Sequence, residues 1–591
     1  MGMCLSRAPS TPSFGRTLSY APCRDAAAGR GSLVDAVKQL QPLDVIRPLL
    51  AQHSRASIED ERDEHDLNIL HYSILWQHAE VVRLLLTKGY FQEPHHAPSV
   101  PYLHLACHVG HALIASILLQ ERPSDYDVTI SPVTWLYMAQ LVPSSEVTTA
   151  HVNMMNSDSG QHELTPIDVA SWSGNVKCVY VMLNYLPPKP KSTFHHSGHF
   201  SALERAVQVN STRSLQLILS DHPVEGDMKR AAKEALRHKM DECLNVLLNH
   251  GVPLGSVLNG MNPYHFMYMY ASAFQAGKGQ GKRHKGLPQS TAVLVRHGFD
   301  VNNADLIGSY PLYSLLYSLI QEKDYNPSSV PEYHIETLQT LLAAGARTDF
   351  DEVLQISSRS SEADVTELPM IGRELYTSAL NAFLVPLQSS DAWRPHMKNY
   401  LDKCVLSLLE HGADPAHVNS FGETPLHDLM KAIAMQHAMG HMFIDLGNMC
   451  RMLLLHGADP NAAAPSGFYP ISHYFSTLCK MMGGLYAFER WRQTDCVPHI
   501  LNLVFFMDHS KVVEAYHQVT QVLIEAKTDG MSDSIISYVQ EQFMRFMTKT
   551  RPLCELSRLG VWKAAGRQKE NLSAWYMPAL LRRHITEMFD E

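Results

Sequence analysis

The chain has 591 residues, of which 45% are hydrophobic and 18% charged, a balance that fits a folded protein and excludes a largely disordered one. Its 49 Lys and Arg against 59 Asp and Glu leave a formal charge of −10. That charge argues against a general nucleic-acid binder, because phosphate contacts need a basic stripe. No uninterrupted apolar stretch approaches the roughly 18 residues that cross a bilayer. The run Leu501-Asn502-Leu503-Val504-Phe505-Phe506-Met507 reads only as a buried helix. The 10 Cys are scattered with no Cys-x-x-Cys pair, which points to reduced thiols in a cytoplasmic or nuclear protein.

At the N-terminus, Met1-Gly2-Met3-Cys4-Leu5-Ser6 fits the myristoylation pattern, with Gly2 as acceptor and Cys4 placed for a palmitoyl chain. One myristoyl chain holds a protein only marginally, so Cys4 or the nearby Arg7 and Arg16 would decide membrane attachment. Two other readings stand open: an organellar transit segment, since residues 1–24 carry Arg and Ser but no acid, and a plain flexible tail over residues 1–32.

From about residue 33 the chain repeats itself. Asn68-Ile69-Leu70-His71 precedes an apolar run ending Leu84-Leu85-Leu86-Thr87-Lys88-Gly89. Leu103-His104-Leu105-Ala106 and Thr165-Pro166-Ile167-Asp168-Val169-Ala170 open further units. Units end at Asn249-His250-Gly251, His297-Gly298 and Ala344-Gly345. Ser309-Tyr310-Pro311-Leu312 and Phe468-Tyr469-Pro470-Ile471-Ser472-His473 are divergent openings. The pattern is sharpest where His-Gly-Ala-Asp-Pro occurs twice, from His411 and from His456, with Thr424-Pro425-Leu426-His427 between.

Each piece has a local reason. The Thr hydroxyl can cap a helix N-terminus, and Pro at the first helical position gives up no bond. Leu-Leu-x-His-Gly closes a second helix, with Gly412 or Gly457 free to turn left-handed. A helix pair this short cannot bury its apolar face alone, so it needs neighbours. These residues resemble the ankyrin repeat, a unit of about 33 residues carrying Thr-Pro-Leu-His. The resemblance implies an all-α solenoid of roughly ten units over residues 33–545. The two His-Gly-Ala-Asp-Pro copies lie 45 residues apart, so inserted residues are expected near His437 to Gly447, between the helices. Further surplus falls around residues 121–161, 272–289, 321–333, 351–370 and 482–499. In a stacked array such insertions map to loops, which either shape a binding surface or are neutral.

Behind the array the pattern changes. Leu553, Leu556 and Leu559 share one helical face, and a second amphipathic run follows Trp575-Tyr576-Met577-Pro578. A helix, a proline-bearing link and a closing helix would suit docking of an apolar face into a groove. Residues 551–591 resemble the suppressor-of-cytokine-signalling box of the ankyrin-and-SOCS-box family. Pro552-Leu553, Ser557 and Val561 fall at its opening positions, with Ser557 where Cys is usual. The resemblance implies an elongin B/C contact through Leu553, supported by Ser557 and Val561. It implies a cullin contact through Pro578 and Leu581. Tyr576 and His584 depart from the pattern there, which weakens the cullin assignment relative to the elongin one.

Other constellations carry less. His195, His196 and His199 lack a neighbouring Cys or carboxylate to complete a tetrahedral metal set. Gly277 to Gly286 is rich in Gly and basic residues but lacks the phosphate-loop spacing. No metalloprotease, hydrolase or kinase signature is present. The sequence therefore reads as a non-catalytic binder without cofactor or metal: a flexible tail (1–32), an ankyrin-like array (33–545) and a SOCS-box-like module (551–591). As the resemblance implies, it is the substrate receptor of an elongin B/C–cullin–RING ubiquitin ligase. The competing reading is an ankyrin scaffold, tethered to a membrane or free, whose last segment only caps the stack.

Overall fold

A computed structural model describes residues 33–548 apart from 64, 93–99, 143–162, 186–201, 222–224, 259, 274–285, 305–309, 322–329, 350–377, 385–397, 420, 440–446, 483–484, 493–495 and 528–530, together with Gly560. The described residues are almost wholly helical. Extended pairing among them is confined to two isolated antiparallel bridges, Ile130 with Leu164 and Asp349 with Ser378. The all-α repeat array expected from the sequence is what forms.

Helix pairs follow one another along the chain. They begin with Leu33–Lys38 and Leu43–Ala51, Ile69–Leu75 and Ala79–Thr87, Tyr102–Val109 and Ala112–Glu121, then Pro166–Trp172 and Val176–Tyr185. They continue with Ala202–Gln208 and Thr212–Asp221, Glu225–His238 and Asp241–Asn249, Pro263–Ala273 and Leu287–Arg296, then Pro311–Gln321 and Val330–Ala343. They close with Ala379–Leu384 and Lys398–Glu410, Pro425–Ala438 and Gly447–Leu455, Pro470–Met481 and Cys496–Leu501, then His509–Ala526 and Asp533–Thr548. Each first helix packs on the first helix of the next pair, forming one row along the solenoid. Second helices from Ala79–Thr87 to Gly447–Leu455 form the other row, and the core lies between the two. Leu85, Leu118, Val179, Leu215 and Leu244 from successive second helices have no exposed surface. Burying a side chain of this size stabilises by about 1.5–3 kcal/mol, and only neighbouring pairs make the burial complete.

Helix ends follow the residues. Thr165 accepts from the backbone N–H of Asp168 and donates its own N–H to the Asp168 carboxylate, a reciprocal box with Pro166 inside the first turn. Gly412 and Gly457 close their second helices at φ +87° and +110°, values a side chain resists.

The surplus residues go to different uses. Between the two His-Gly-Ala-Asp-Pro copies, part of the surplus lengthens a helix instead of forming a loop. Pro425–Ala438 has 14 residues where Ile69–Leu75 has 7, so His437 and Ala438 are helical. Residues 440–446 lie outside the described residues. Among the described residues, the α-helices outside the pairing are Arg55–Asp60, Pro132–Leu141, Leu254–Val257 and Leu485–Arg492. The apolar run from Leu501 to Met507 ends a helix and continues as a 3-10 turn, Asn502–Phe506, with Leu503, Val504 and Met507 buried.

Candidate functional site

The repeat motif works through its histidines. In Ile69–Leu75 the side chain of Asn68 accepts the N–H groups of Leu70 and His71. Nδ1 of His71 accepts the N–H of Asn68 at 3.1 Å, which leaves Nε2–H to donate outward, to Val100 O at 2.8 Å. His427 repeats the arrangement: Thr424 N–H reaches its Nδ1 at 3.1 Å and Nε2 meets Phe468 O at 3.3 Å. His104 likewise meets Leu164 O at 3.1 Å. Each acceptor lies two residues before the first helix of the following pair. At His71 and His427 one imidazole therefore caps its own helix and ties the next unit to it, while His104, behind Pro101 with no N–H to give, makes only the tie. Burial holds all three histidines near a pKa of about 4, so they are neutral donors rather than acid–base groups at pH 7.

The turns between pairs are stitched in the same direction. Asn302 donates to Gly345 O at 2.9 Å and accepts the Arg347 N–H at 2.8 Å. Asp349 accepts the Asp414 N–H at 3.2 Å, and Asn461 accepts the Asp508 N–H at 2.7 Å. On one of these turns Val418 and Phe421 stand out from the surface, Phe421 at 62% exposure. The turn edge is thus ordered in its backbone and apolar at that tip, a combination suited to contact with another protein.

Between the pairs beginning at Ala379 and Pro425 lies a buried polar knot. Asp428 Oδ2 accepts from Asn381 Nδ2 at 2.7 Å and from Asn419 Nδ2 at 3.4 Å. Burial pushes the Asp428 carboxyl up to about 7, against the pull of those two amides. Nearby, Lys431 pairs with Glu423, and His473 stands edge-on to His427 at 5.2 Å. His437 and Trp491 both bond the Tyr474 hydroxyl, at 2.8 and 3.1 Å. These groups lock one unit to the next.

A second concentration of aromatic groups involves the unpaired helix Pro132–Leu141. Trp135 stacks on Trp172 with centroids 4.4 Å apart and planes 13° from parallel, and His108 meets Trp135 edge-on. The residues carrying it were not singled out from the sequence. Their signal was present: Ser131-Pro132 is a helix start inside the surplus after residue 121, and the ten residues that follow carry no charge.

Among the described residues no group of three or more His, Cys, Asp or Glu side chains is placed to hold a metal ion. The described cysteines form no disulfide, and burial pushes the Cys243 thiol up to about 12, which keeps it protonated. No described helix is long and apolar enough to cross a membrane. The residues proposed from the sequence for elongin contact (Leu553, Ser557, Val561), cullin contact (Pro578, Leu581) and lipidation (Gly2, Cys4) lie outside the described residues. So do His195, His196 and His199.

Helix pairs opened by Thr-Pro or its variants, tied by a histidine at the third helical position and closed by a left-handed glycine, decide the repeat. Its form is that of an ankyrin-repeat solenoid. No family model matches the chain. A stretch of 62 residues is 40% identical to cyclin-dependent kinase 4 inhibitor B of Rattus norvegicus, covering 10% of this chain and 38% of that protein. The same protein of Bos taurus matches at 38% over 64 residues, 11% of this chain and 39% of the relative. The match thus spans about two fifths of those relatives. Among solved structures, the human ASB11 ankyrin repeat domain is similar at 16% identity and a TM-score of 0.27, covering 54% of this chain and 99% of that one. The ankyrin repeat domain of Bcl-3, a member of the IkappaB protein family, is similar at 15% and a TM-score of 0.14, covering 69% and 98%. The ankyrin assignment rests on the helix pairing and the histidine ties.

Proposed function

We propose that the protein is the substrate-recognition subunit of an elongin B/C–cullin–RING ubiquitin ligase and is itself non-catalytic. The observation that supports this reading is one of order along the chain. An ankyrin array is followed at residues 551–591 by Pro552-Leu553, Ser557 and Val561, then Pro578 and Leu581, at the spacing of a SOCS box. In this reading the ankyrin surface holds a target protein while Leu553 anchors elongin and Pro578 with Leu581 meet the cullin. Ubiquitin transfer is then promoted by proximity, since tethering raises the local concentration of the charged carrier near target lysines. The protein works in the cytoplasm, with Gly2 and Cys4 supplying a peripheral membrane contact. The test is co-purification: elongin B/C comes down with the full chain and is lost from Leu553→Ala. Absence of elongin from both preparations removes the ligase reading.

A second reading rests on the last helix pair, where Ile524 and Met544 are exposed large apolar side chains. A solenoid end needs a cover, and residues 551–591 would supply it in a scaffold without a ligase role. Deleting residues 551–591 would then lower stability or solubility without removing a specific partner. For either reading, Gly2→Ala should release the protein from membranes; an unchanged distribution ends the lipid proposal.

A further inference from the structure

The helix Pro132–Leu141 belongs to neither row of the solenoid. The rows close without it: Tyr102–Val109 packs directly on Pro166–Trp172, and Ala112–Glu121 directly on Val176–Tyr185. Among the described residues, first helices and the turns before them supply the ring and hydroxyl contacts of Trp135 and Tyr137. Trp135, only 2% exposed, lies flat on Trp172 at 4.4 Å. The His108 ring meets it edge-on at 5.7 Å, fixed by an Nδ1 bond to Ser173 Oγ at 2.8 Å. The Arg205 guanidinium sits 4.4 Å from the Trp172 ring, and its Nη1 donates to Gln208 Oε1 at 3.0 Å. Two groups at that distance cannot share one face of an indole, so Trp172 is held between Trp135 and Arg205. Farther along, the Tyr137 hydroxyl donates to His65 O at 3.1 Å, in the turn before Ile69–Leu75. The helix therefore reaches across the first row from the fourth pair to the second.

Its own character is that of a ligand more than of a surface helix. Residues 132–141, PVTWLYMAQL, carry no charge, and Val133 on the far side is 76% exposed. A surface helix ordinarily sets charged residues on its outer face. An uncharged helix anchored by one buried tryptophan between aromatic and cationic groups has the form of a helix laid in a groove.

We propose that His108, Trp172 and Arg205 form a helix-binding site on the first-helix row, and that Pro132–Leu141 fills it as a tethered ligand. The chemistry that exchanges with it is an uncharged helix presenting a tryptophan. With the tether in place, this part of the ankyrin surface is closed, and a target binds elsewhere or displaces the helix. The proposal is independent of any elongin contact, so the two fail separately.

The experiment has two arms. In hydrogen exchange on the full chain, amides of residues 132–141 are expected to exchange about tenfold faster or more than those of 102–109 and 166–172, because a docked ligand opens without unfolding the rows. Equal protection makes the helix a core element and overturns the proposal. In the second arm a Gly/Ser linker replaces residues 132–141, and a labelled synthetic peptide of sequence SPVTWLYMAQL is the probe. It is expected to bind the replaced chain with micromolar affinity and the intact chain at least about tenfold more weakly, since the tethered copy competes at high effective concentration. The peptide carrying the W135A change should not bind. A replaced chain that fails to fold, or that folds and ignores the peptide, overturns the proposal.

Discussion

Nε2 of His71 stands 2.8 Å from the carbonyl oxygen of Val100, in the unit that follows its own. The same ring accepts the Asn68 N–H, so a single side chain satisfies a helix start and an inter-unit contact together. His427 does so between Thr424 and Phe468. The solenoid is held in register by such pairs.

Replacing either histidine removes a cap bond and leaves a buried carbonyl without its donor. His71→Ala or His427→Ala should lower stability by about 1–3 kcal/mol, read as a shift of the urea midpoint. His53→Ala, at an exposed position, should stay within about 0.5 kcal/mol of the parent. Equal effects at His53 and His427 would show that the ties do not matter.

Acid should loosen the array. Burial lowers His71, His104 and His427 from 6.5 to about 4, favouring the neutral ring in the folded state. Between about pH 4 and 6.5 the unfolded chain therefore binds more protons than the folded one. The stability these residues contribute is full above pH 6.5 and drains as the pH falls toward 4. Urea midpoints at pH 7 and pH 5 measure it, and a midpoint that rises on acidification contradicts the account.

Asp428, next in sequence to His427, has the opposite slope. Burial raises its carboxyl from 3.8 to about 7, so its contribution is full below pH 3.8 and is lost as the pH climbs through 7. Asp428→Asn keeps a polar group beside Asn381 and Asn419 while removing the charge. The variant should gain stability at pH 8, on the order of 1 kcal/mol or more, and lose it more steeply between pH 6.5 and 4. An unchanged pH profile would show that Asp428 does not titrate in the folded chain.

Gly457 holds φ +110° at the end of Gly447–Leu455, and Gly412 holds +87° at the end of Lys398–Glu410. An alanine at either position should cost about 1–2 kcal/mol. Thermal unfolding of both variants tests this, with Gly226→Ala as the comparison, since Gly226 sits in a helix with open space around its Cα.

The helix pairs were legible wherever a start signal and a stop signal stood near each other, as at Thr424-Pro425 and His456-Gly457. Ends of this kind are set by one or two residues acting on their own backbone. The place of the helix Pro132–Leu141, outside both rows, was not legible. Ser131-Pro132 announces a helix, but nothing local says that Trp135 will stack on Trp172, 37 residues further along the chain. The lengthening of Pro425–Ala438 escaped for a related reason, because its added turn is paid in contacts such as His437 with Tyr474 from the next unit.

By itself, then, the sequence determined the repeat: which segments become helices, where the caps and left-handed glycines fall, and that the units must stack to bury their apolar faces. Those outcomes depend on local backbone chemistry and on the spacing of apolar residues. Only the tertiary structure decided which carbonyl each histidine reaches, that Asp428 is enclosed with two amides, and that Trp135 comes to rest between His108 and Trp172. Such contacts join residues tens of positions apart, and packing between units, not propensity within them, selects them.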